Sequence, residues 1–183
     1  MPVLLWLPFL LITQAEALPA YRPAAETKAA FQKQLDRPKI PLDARVDKTS
    51  GPNAGLVTEL LSFASENRAD GTIERVPALI VRPADNTKPR PAVVVLHGTG
   101  GNKFDMTSTL EDLAQLGFVA ISIDGRYHGE RNSGNGTDDY NQAITRAWRT
   151  KPGEPGEHPF YFDTCWDIWR TLDFFADASG CGF

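Results

Sequence analysis

Two short apolar segments on either side of an amphipathic one constrain the fold of this chain more than any other feature. Residues 92–96 read AVVVL and residues 118–123 read FVAISI. Continuous runs rich in β-branched residues are typical of strands buried on both faces of a parallel sheet. Between them, residues 104–116 carry apolar side chains at helical spacing, and Gly117 is suited to the position after the helix end. The pattern predicts a β–α–β unit.

Further elements are predicted before this unit. Residues 24–35 contain strong helix formers and are expected to form a helix, whereas residues 40–53 are expected to be a linker. Residues 55–65 and 75–81 are predicted strands, joined by a turn at Arg68-Ala69-Asp70-Gly71. Because Pro77 cannot donate a ladder hydrogen bond, we expect the resulting antiparallel hairpin to lie at a sheet edge.

The last third of the chain combines a long polar loop with a helix. Residues 124–157 are rich in Gly and Pro, with a short helix predicted at residues 140–148. Residues 162–177 predict an amphipathic helix. Its apolar stripe comprises Phe162, Cys165, Trp166, Trp169, Leu172 and Ala176. Charged residues fall mostly on the opposite side, namely Asp163, Asp167, Arg170 and Asp177. We expect Cys165 to be buried.

The amino-terminal residues have two interpretations. Residues 3–12 are almost wholly apolar and are followed by the small-x-small pattern Ala15-Glu16-Ala17. This arrangement is typical of a signal peptide, although no Lys or Arg precedes the apolar run. The run is too short for a membrane-spanning helix. Residues 1–20 are therefore either a signal peptide, which implies a secreted or extracytoplasmic protein, or an apolar arm packed on a cytoplasmic one.

Composition excludes several classes of function. The 183 residues suffice for one domain, and 42% hydrophobic with 23% charged residues is ordinary for a globular protein. A net charge of −4 without a Lys/Arg-rich run argues against nucleic acid and anionic membranes as partners. Three scattered histidines predict no metal site, and no motif predicts a cofactor. Two cysteines, Cys165 and Cys181, do not indicate a disulfide framework.

The glycine-rich segment His97-Gly98-Thr99-Gly100-Gly101 follows the first apolar strand. Its glycines let the backbone approach a ligand closely, and its N–H groups suit an oxyanion hole, which needs fixed donors at a developing negative charge. A phosphate-binding loop and a plain tight turn are the alternatives. The segment contains neither G-x-G-x-x-G nor G-x-x-x-x-G-K-[ST].

Three segments taken together, VVVLHGTGGNK, GFVAISIDGRYHGER and YFDTCWDIWRTLDFF, resemble the α/β-hydrolase superfamily. The resemblance covers roughly residues 55–177 and is to the branch with dienelactone hydrolases, acetyl xylan esterases and prolyl-oligopeptidase-like hydrolases. It implies an α/β fold whose three-layer sheet is mostly parallel after the antiparallel hairpin. Residues 1–20, 21–54 and 55–183 are then the amino-terminal segment, a helix with its linker, and a partial hydrolase domain.

The same resemblance assigns roles in the two loops. The N–H of Thr99, with Gly100 as the alternative, is expected to form half of the oxyanion hole. Asp124-Gly125-Arg126-Tyr127-His128-Gly129 corresponds to the family's Asp-x-Arg-Gly-x-Gly loop. Because the family's catalytic histidine lies near the carboxyl terminus, His97 is expected to brace the loop with Gly98 and Gly101.

The charged residues of the second loop leave alternatives open. Asp124 and Arg126 are expected to form a structural pair or to bind loop backbone. Glu130 and Arg131 either do the same or form a surface ion pair. His128 either lines the pocket or is a plain loop residue, and His158 is expected in a loop.

No catalytic residue is predicted in this sequence. The family's nucleophile elbow, Gly-x-Ser-x-Gly, occurs nowhere in it. Cys181 lies in SGCGF with no predicted strand before it and no helix after it, and Ser179 fails the same test. We therefore expect the domain to be truncated before the nucleophile elbow, with nucleophile, acid and histidine beyond Phe183.

Three functional hypotheses follow. By resemblance, the protein is a serine carboxylic-ester hydrolase for small acetyl-type esters, and this chain alone is inactive. Alternatively it is a non-catalytic binding or regulatory fragment that associates with a partner, or with itself, through an unfinished sheet. An unrelated nucleotide-binding fold is disfavoured by the missing phosphate loop.

Overall fold

The computed structural model describes residues 21–85, 87–151, 154 and 156–178. The amino-terminal segment, Ser179 and Cys181 lie outside these residues, so the predictions made for them stay predictions. The strands are β1 (Arg45–Asn53), β2 (Leu56–Asn67), β3 (Ile73–Pro83), β4 (Ala92–Leu96) and β5 (Val119–Ile123). The α-helices are α1 (Ala24–Leu35), α2 (Thr107–Gln115), α3 (Thr137–Arg149) and α4 (Thr164–Ala178). Short 3₁₀ turns span Lys103–Met106 and Gly129–Arg131, and a π-helical turn spans Pro159–Asp163.

The five strands form one sheet in the order β1-β2-β3-β5-β4. β4 and β5 are parallel and joined through α2, which confirms the predicted β–α–β unit. The other three pairs are antiparallel. Among the described strands the parallel part is therefore smaller than expected, because the hairpin connections of β1, β2 and β3 can only produce antiparallel neighbours.

Two predictions for the amino-terminal half are wrong. Residues 45–53 are not a linker but β1, which pairs with β2 and moves the predicted hairpin away from the sheet edge. All nine β1 side chains are exposed, so the segment lacks the apolar alternation that marks a strand. Pro77 lies in an internal strand opposite Ser62. It is tolerated there because the β3–β5 ladder begins only at Ala78.

The sheet is covered on both faces, as three layers require. On one face Leu110 and Ala114 of α2 pack with Leu79, Val81 and Ala120. On the other face Phe174 of α4 stacks on Phe63 at a centroid distance of 5.4 Å. β5 is buried along its whole length, whereas β4 is partly exposed. The expected burial of both strands is therefore right for β5 and wrong for β4, which has only one neighbour among the described strands.

Helix α4 is present as predicted, but it faces the sheet with a different side. Trp166 is buried together with Asp163, Asp167 and Arg170. The predicted stripe residues Cys165, Trp169 and Leu172 are exposed instead. Buried charges of this kind require partners, and loops and strands of the domain provide them. The charged side of the helix is therefore an internal surface, and the expected burial of Cys165 is wrong.

Two local features complete the scaffold. Gly117 follows α2 with a φ of +96°, the left-handed conformation that glycine adopts readily after a helix. Within the described part of the chain, none of the helices combines the length and the apolar character needed to cross a bilayer.

Candidate active site

The carboxyl ends of β4 and β5 bring two loops together. We call residues 97–101 the Gly-rich loop and residues 124–131 the Asp124 loop. His97 connects them, since its Nε2 accepts a hydrogen bond from the Gly125 N–H at 3.0 Å and its Nδ1 contacts the Gly98 carbonyl oxygen at 2.8 Å. A carbonyl oxygen only accepts, so Nδ1 carries the proton. Both ring nitrogens are engaged within the loops, which favours the bracing role.

The Gly-rich loop presents backbone donors. The Gly101 N–H donates to the Gly98 carbonyl at 3.0 Å and closes the turn. Among the described residues, neither Thr99 nor Gly100 donates its N–H to a protein acceptor. A Cβ atom at Gly101 would lie 2.7 Å from Asp105 Oδ2, so a larger residue at this position would displace the Asp105 side chain. Thr99 and Gly100 are therefore two backbone donors of this loop that have no protein acceptor among the described residues.

A small cavity and a larger groove adjoin these donors. The loop cavity has a volume of about 120 Å³ and lies among Leu96, His97, Thr99, Ile123, His128 and Tyr140. The apolar groove, about 580 Å³, continues from it between α3 and the π-helical turn. Its lining includes Thr99, Tyr140, Ile144, Trp148, His158 and Phe162. Thr99 lines both spaces, whereas Gly100 lines a separate polar cleft.

His128 forms part of the cavity wall. Its ring lies 5.0 Å from the His97 ring and 4.5 Å from the Tyr140 ring, measured between centroids. Nδ1 contacts the Arg126 carbonyl oxygen at 2.8 Å and therefore carries a proton. Burial lowers the pKa of His128, and neighbouring His97 adds to this effect against the opposing Arg126 carbonyl. The neutral ring thus has a lone pair at Nε2, which has no hydrogen-bond partner among the described residues.

Asp124 organises the second loop from within. Its buried carboxylate accepts hydrogen bonds from the Lys103 N–H at 2.8 Å, from Lys103 Nζ at 2.8 Å and from the Glu130 N–H at 3.0 Å. Lys103 Nζ also binds Glu130 at 2.5 Å. Asp124 therefore binds loop backbone, as one alternative had it. The other alternative, a pair between Asp124 and Arg126, is wrong, because Lys103 occupies the cation position.

Arg126 turns instead toward α4 and β2. It binds Asp167 at 3.1 Å and Glu66 at 2.5 Å, with Asp163 at 4.0 Å. Burial alone would lower the pKa of Arg126, but Asp167, Asp163 and Glu66 outweigh it and raise the pKa above its usual range. Arg126 is therefore charged and fixes the loop on the helix, rather than being free for a ligand.

Arg131 makes a second link to the same helix. It binds Asp167 at 2.8 Å, Glu74 at 2.6 Å and the Asp124 carbonyl oxygen at 2.9 Å. Its partner is thus not Glu130, and it is nearly buried, so the surface ion pair is wrong. Glu130 pairs with Lys103 instead.

Several residues that shape the site could not be identified from the sequence alone. Lys103, Glu66, Glu74, Asp163 and Asp167 lie on five different elements or turns, and each reads as an ordinary surface residue. Charge complementarity becomes visible only when the fold brings these elements together. Only Lys103 had a local indication in the sequence, since it lies two residues after the Gly-rich loop.

The histidines gather more closely than their sequence positions indicate. His97 and His128 meet at the cavity, and His158 lies in the loop before the π-helical turn, where it lines the apolar groove. In the described ranges, no group of three His, Cys, Asp or Glu side chains is arranged to hold a metal ion.

Comparisons with known proteins agree with this architecture. A model of the dienelactone hydrolase family matches residues 76–155, which include both loops. No curated protein sequence matches the chain. A candidate acetyl xylan esterase from Bacteroides fragilis superposes with a TM-score of 0.63 at 17% identity, covering 82% of this chain and 41% of its own length. Acetyl xylan esterase 1 from Thermoanaerobacterium sp. superposes with a TM-score of 0.56 at 17% identity, covering 81% and 45%.

These likenesses define the fold of the described part of the chain. The three-layer arrangement and the β–α–β unit are those of the α/β-hydrolase fold. The chain therefore has the α/β-hydrolase fold, and residues 76–155 of it match the dienelactone hydrolase family model. It spans less than half the length of the two solved structures it resembles.

Proposed function

We propose that this chain forms the oxyanion-hole part of a serine esterase that acts on small carboxylic esters of the acetyl type. One observation carries the proposal. Thr99, which follows the carboxyl end of β4, lines the loop cavity, and its N–H has no acceptor in the described part of the protein. A fixed donor beside a cavity of low polarity is what stabilises the negative oxygen of an acyl-transfer intermediate.

The surroundings support an ester rather than a phosphate ligand. The cavity wall is mostly apolar, and the apolar groove beside it offers a surface for the body of an ester. Arg126 also lines the loop cavity, but it is bound to three carboxylates and is not available for a phosphate. The matching family model and the names of the two similar structures point to the same class of reaction.

The proposal assigns no nucleophile to this chain. No Gly-x-Ser-x-Gly segment occurs in its 183 residues. Both nitrogens of His97 are engaged in loop hydrogen bonds, so this ring is not free to act as a general base. We expect the chain alone to show no turnover of p-nitrophenyl acetate above the solvent rate. Turnover that disappears on mutation of Cys181 or Ser179 would contradict this expectation.

The oxyanion role can be tested without turnover. Methylphosphonate is a small tetrahedral anion, and its titration should move the Thr99 amide resonance in a saturable way. Thr99→Ala retains the N–H and should bind equally, whereas Thr99→Pro removes the donor and should lose binding. The amide of Gly71, in the distant β2–β3 turn, serves as the internal control. A Thr99 amide that moves no more than that of Gly71 would refute the proposed role.

A non-catalytic fragment is the second candidate function. β4 pairs with β5 on one side only among the described strands, and Leu96 at its end is 46% exposed. An unpaired apolar strand edge favours association with a further strand. Under this alternative the purified chain should elute from size exclusion as a concentration-dependent oligomer. A stable monomer at all concentrations would exclude self-association through this edge.

A further inference from the structure

One side of helix α4 exposes a row of apolar residues. Cys165, Trp169 and Leu172 follow each other at helical spacing, and we call them the outer stripe. All three are exposed, Trp169 by 43% and Leu172 by 53%. They point away from the sheet, because the opposite side of α4 carries the buried Trp166 and Phe174. An exposed apolar row of this kind marks a surface that another apolar segment covers.

The charges beside the outer stripe are neutralised within the protein. Arg170 and Asp173, which directly follow Trp169 and Leu172 in the chain, bind each other at 2.7 Å. Asp173 also binds Lys39 at 2.7 Å. A charged partner would therefore have to compete with existing ion pairs, whereas an uncharged apolar partner would leave them intact. The outer stripe favours the uncharged partner.

The chain itself contains a segment of matching character. Residues 3–12 read VLLWLPFLLI and carry no charged side chain. They lie outside the described residues and are connected to Tyr21 through residues 13–20. Leaving such side chains in water is unfavourable, and burial against an apolar surface removes this cost. The segment therefore matches the outer stripe in both polarity and charge.

The position at which the described residues begin allows this contact. Tyr21 precedes α1, and Phe31 of α1 packs on Phe162 at a centroid distance of 5.6 Å. Phe162 lies about one turn before Cys165, at the near end of the outer stripe. Chain geometry keeps Tyr21 within about 20 Å of Phe31, whereas residues 13–20 span up to about 27 Å when extended. The tether is therefore long enough for residues 3–12 to reach the outer stripe.

We propose that residues 3–12 form an amino-terminal arm that packs on the outer stripe of α4 in the same molecule. This is the second of the two interpretations of residues 1–20, now with a defined contact surface, and it is independent of the proposed esterase function. Helix α4 then has a partner on both sides. Its buried charges and Trp166 face the rest of the domain, and its apolar outer stripe faces the arm.

The first experiment measures how accessible the Cys165 thiol is in the full chain. Cys181→Ser leaves Cys165 as the only cysteine of the sequence, and its reaction with a maleimide is timed. We expect Leu7→Asp, which introduces a charge into the arm, to accelerate this reaction about tenfold, the factor expected when one partly buried leucine is lost from the contact. Gln14→Asp introduces the same charge into the tether and should leave the rate unchanged. Equal Cys165 rates with Leu7 and with Asp at that position would overturn the proposal.

A thiol on the other side of the sheet controls for general loosening of the domain. Ser108 is exposed on α2, which covers the opposite face. With both native cysteines replaced by serine, Ser108→Cys should react at the same rate with and without Leu7→Asp. A similar acceleration at position 108 would contradict a local contact at α4. The protection of Cys165 should also be unchanged on dilution of the protein. Protection that increases with protein concentration would mean that the arm covers another copy of the chain, against the proposal.

The last experiment distinguishes the outer stripe from the apolar groove, where Trp148 is 89% exposed. In the full chain labelled with ¹⁵N-tryptophan, the indole N–H of Trp6 should have the high heteronuclear NOE of a rigid side chain. Trp169→Lys should lower this NOE, because the arm is released, whereas Trp148→Lys should leave it unchanged. The reverse pattern would assign the arm to the apolar groove and refute the proposal, as would a low NOE in the unmodified chain. If Trp169→Lys fails to fold, the thiol comparison still decides the question.

Discussion

Gly129 lies directly against the carboxylate of Asp124, so that a Cβ atom at position 129 would be 2.3 Å from the Asp124 Cγ. The glycine has a φ of +51°, which places the Glu130 N–H on the same carboxylate. Asp124 in turn holds Lys103 on the other side. The packing of this one glycine therefore determines whether the Asp124 loop closes around its central anion.

Replacement of Gly129 should destabilise the domain much more than replacement of a glycine that also has a positive φ but no atoms around the position of a Cβ. We expect Gly129→Ala to lower the free energy of unfolding by about 3 kcal/mol or more, because strain at positive φ adds to a steric clash in a packed site. Gly71 is the matched control, because it has a φ of +83° and a Cβ atom at this position would meet no atom within 4 Å. Gly71→Ala should cost about 1–2 kcal/mol, the strain of an alanine at positive φ. Equal losses in urea denaturation would show that the contact with Asp124 is unimportant.

Removal of the Lys103 ammonium should destabilise the domain strongly. Lys103 is 1% exposed and is bound to Asp124 and Glu130. Lys103→Met keeps the volume but leaves the Asp124 carboxylate without its cation, which costs about 3–5 kcal/mol. Lys39→Met is the control, because the Lys39–Asp173 pair has a lysine side chain that is 59% exposed. It should change stability by less than about 1 kcal/mol. A mild effect of Lys103→Met in the same chemical denaturation assay would contradict this account.

Asp167 should make the stability of the domain sensitive to acid. Burial alone would raise the pKa of Asp167, but Arg131 and Arg126 with the Ser65 hydroxyl outweigh it and lower the pKa below its usual value of 3.8. A lowered pKa contributes stability that is present above pH 3.8 and is lost as the pH falls further. Asp167→Asn should therefore be less stable at neutral pH and should lose less on acidification. The measurement is thermal unfolding between neutral pH and about pH 2.5.

The control for that substitution lies on the same helix. Asp177→Asn makes the same chemical change at an exposed position of α4 and should keep the wild-type stability at neutral pH. An Asp167→Asn protein with the full wild-type dependence on pH would show that Asp167 is not the responsible group.

The two tryptophans of α4 should contribute very differently to stability. A purely apolar stripe would make their substitutions equally costly. Trp166 is 1% exposed, and its Nε1–H donates to the Ser65 carbonyl at 3.3 Å, whereas Trp169 is 43% exposed. Trp166→Ala should cost about 3–5 kcal/mol through cavity formation. Trp169→Ala should cost about 1 kcal/mol. Similar losses in chemical denaturation would mean that α4 packs through the other face.

Local patterns were sufficient for much of the fold. The apolar runs at β4 and β5 and the helical spacing of α2 each follow from short-range regularities, and their parallel pairing follows from chain geometry. β1 could not be found in this way, because nothing in RVDKTSGPN differs from a polar loop. Its strand conformation is imposed by hydrogen bonds to β2, which are interactions of the whole sheet.

The site was predictable to the extent that backbone determines it. The Gly-rich loop can be recognised because its glycines directly follow a short apolar run of β-branched residues, and both features are local in the sequence. The buried charges do not, because Asp167 and Arg126 are stabilised by each other across 41 positions of the chain. An amphipathic analysis assigns such residues to the solvent side, which is the physical reason that the face of α4 was predicted wrongly.

The strand order β1-β2-β3-β5-β4 also bears on how quickly the parts of the sheet form. β1, β2 and β3 pair with their nearest neighbours along the chain, so that little entropy is lost in closing the intervening turns. β5 and β4 join only after longer segments have been ordered, including α2. We expect the three-stranded meander of β1, β2 and β3 to form early and the β5–β4 end of the sheet to form late, in accordance with the slower folding of distant contacts. The Gly-rich loop and the Asp124 loop thus belong to the last part of the domain to assemble.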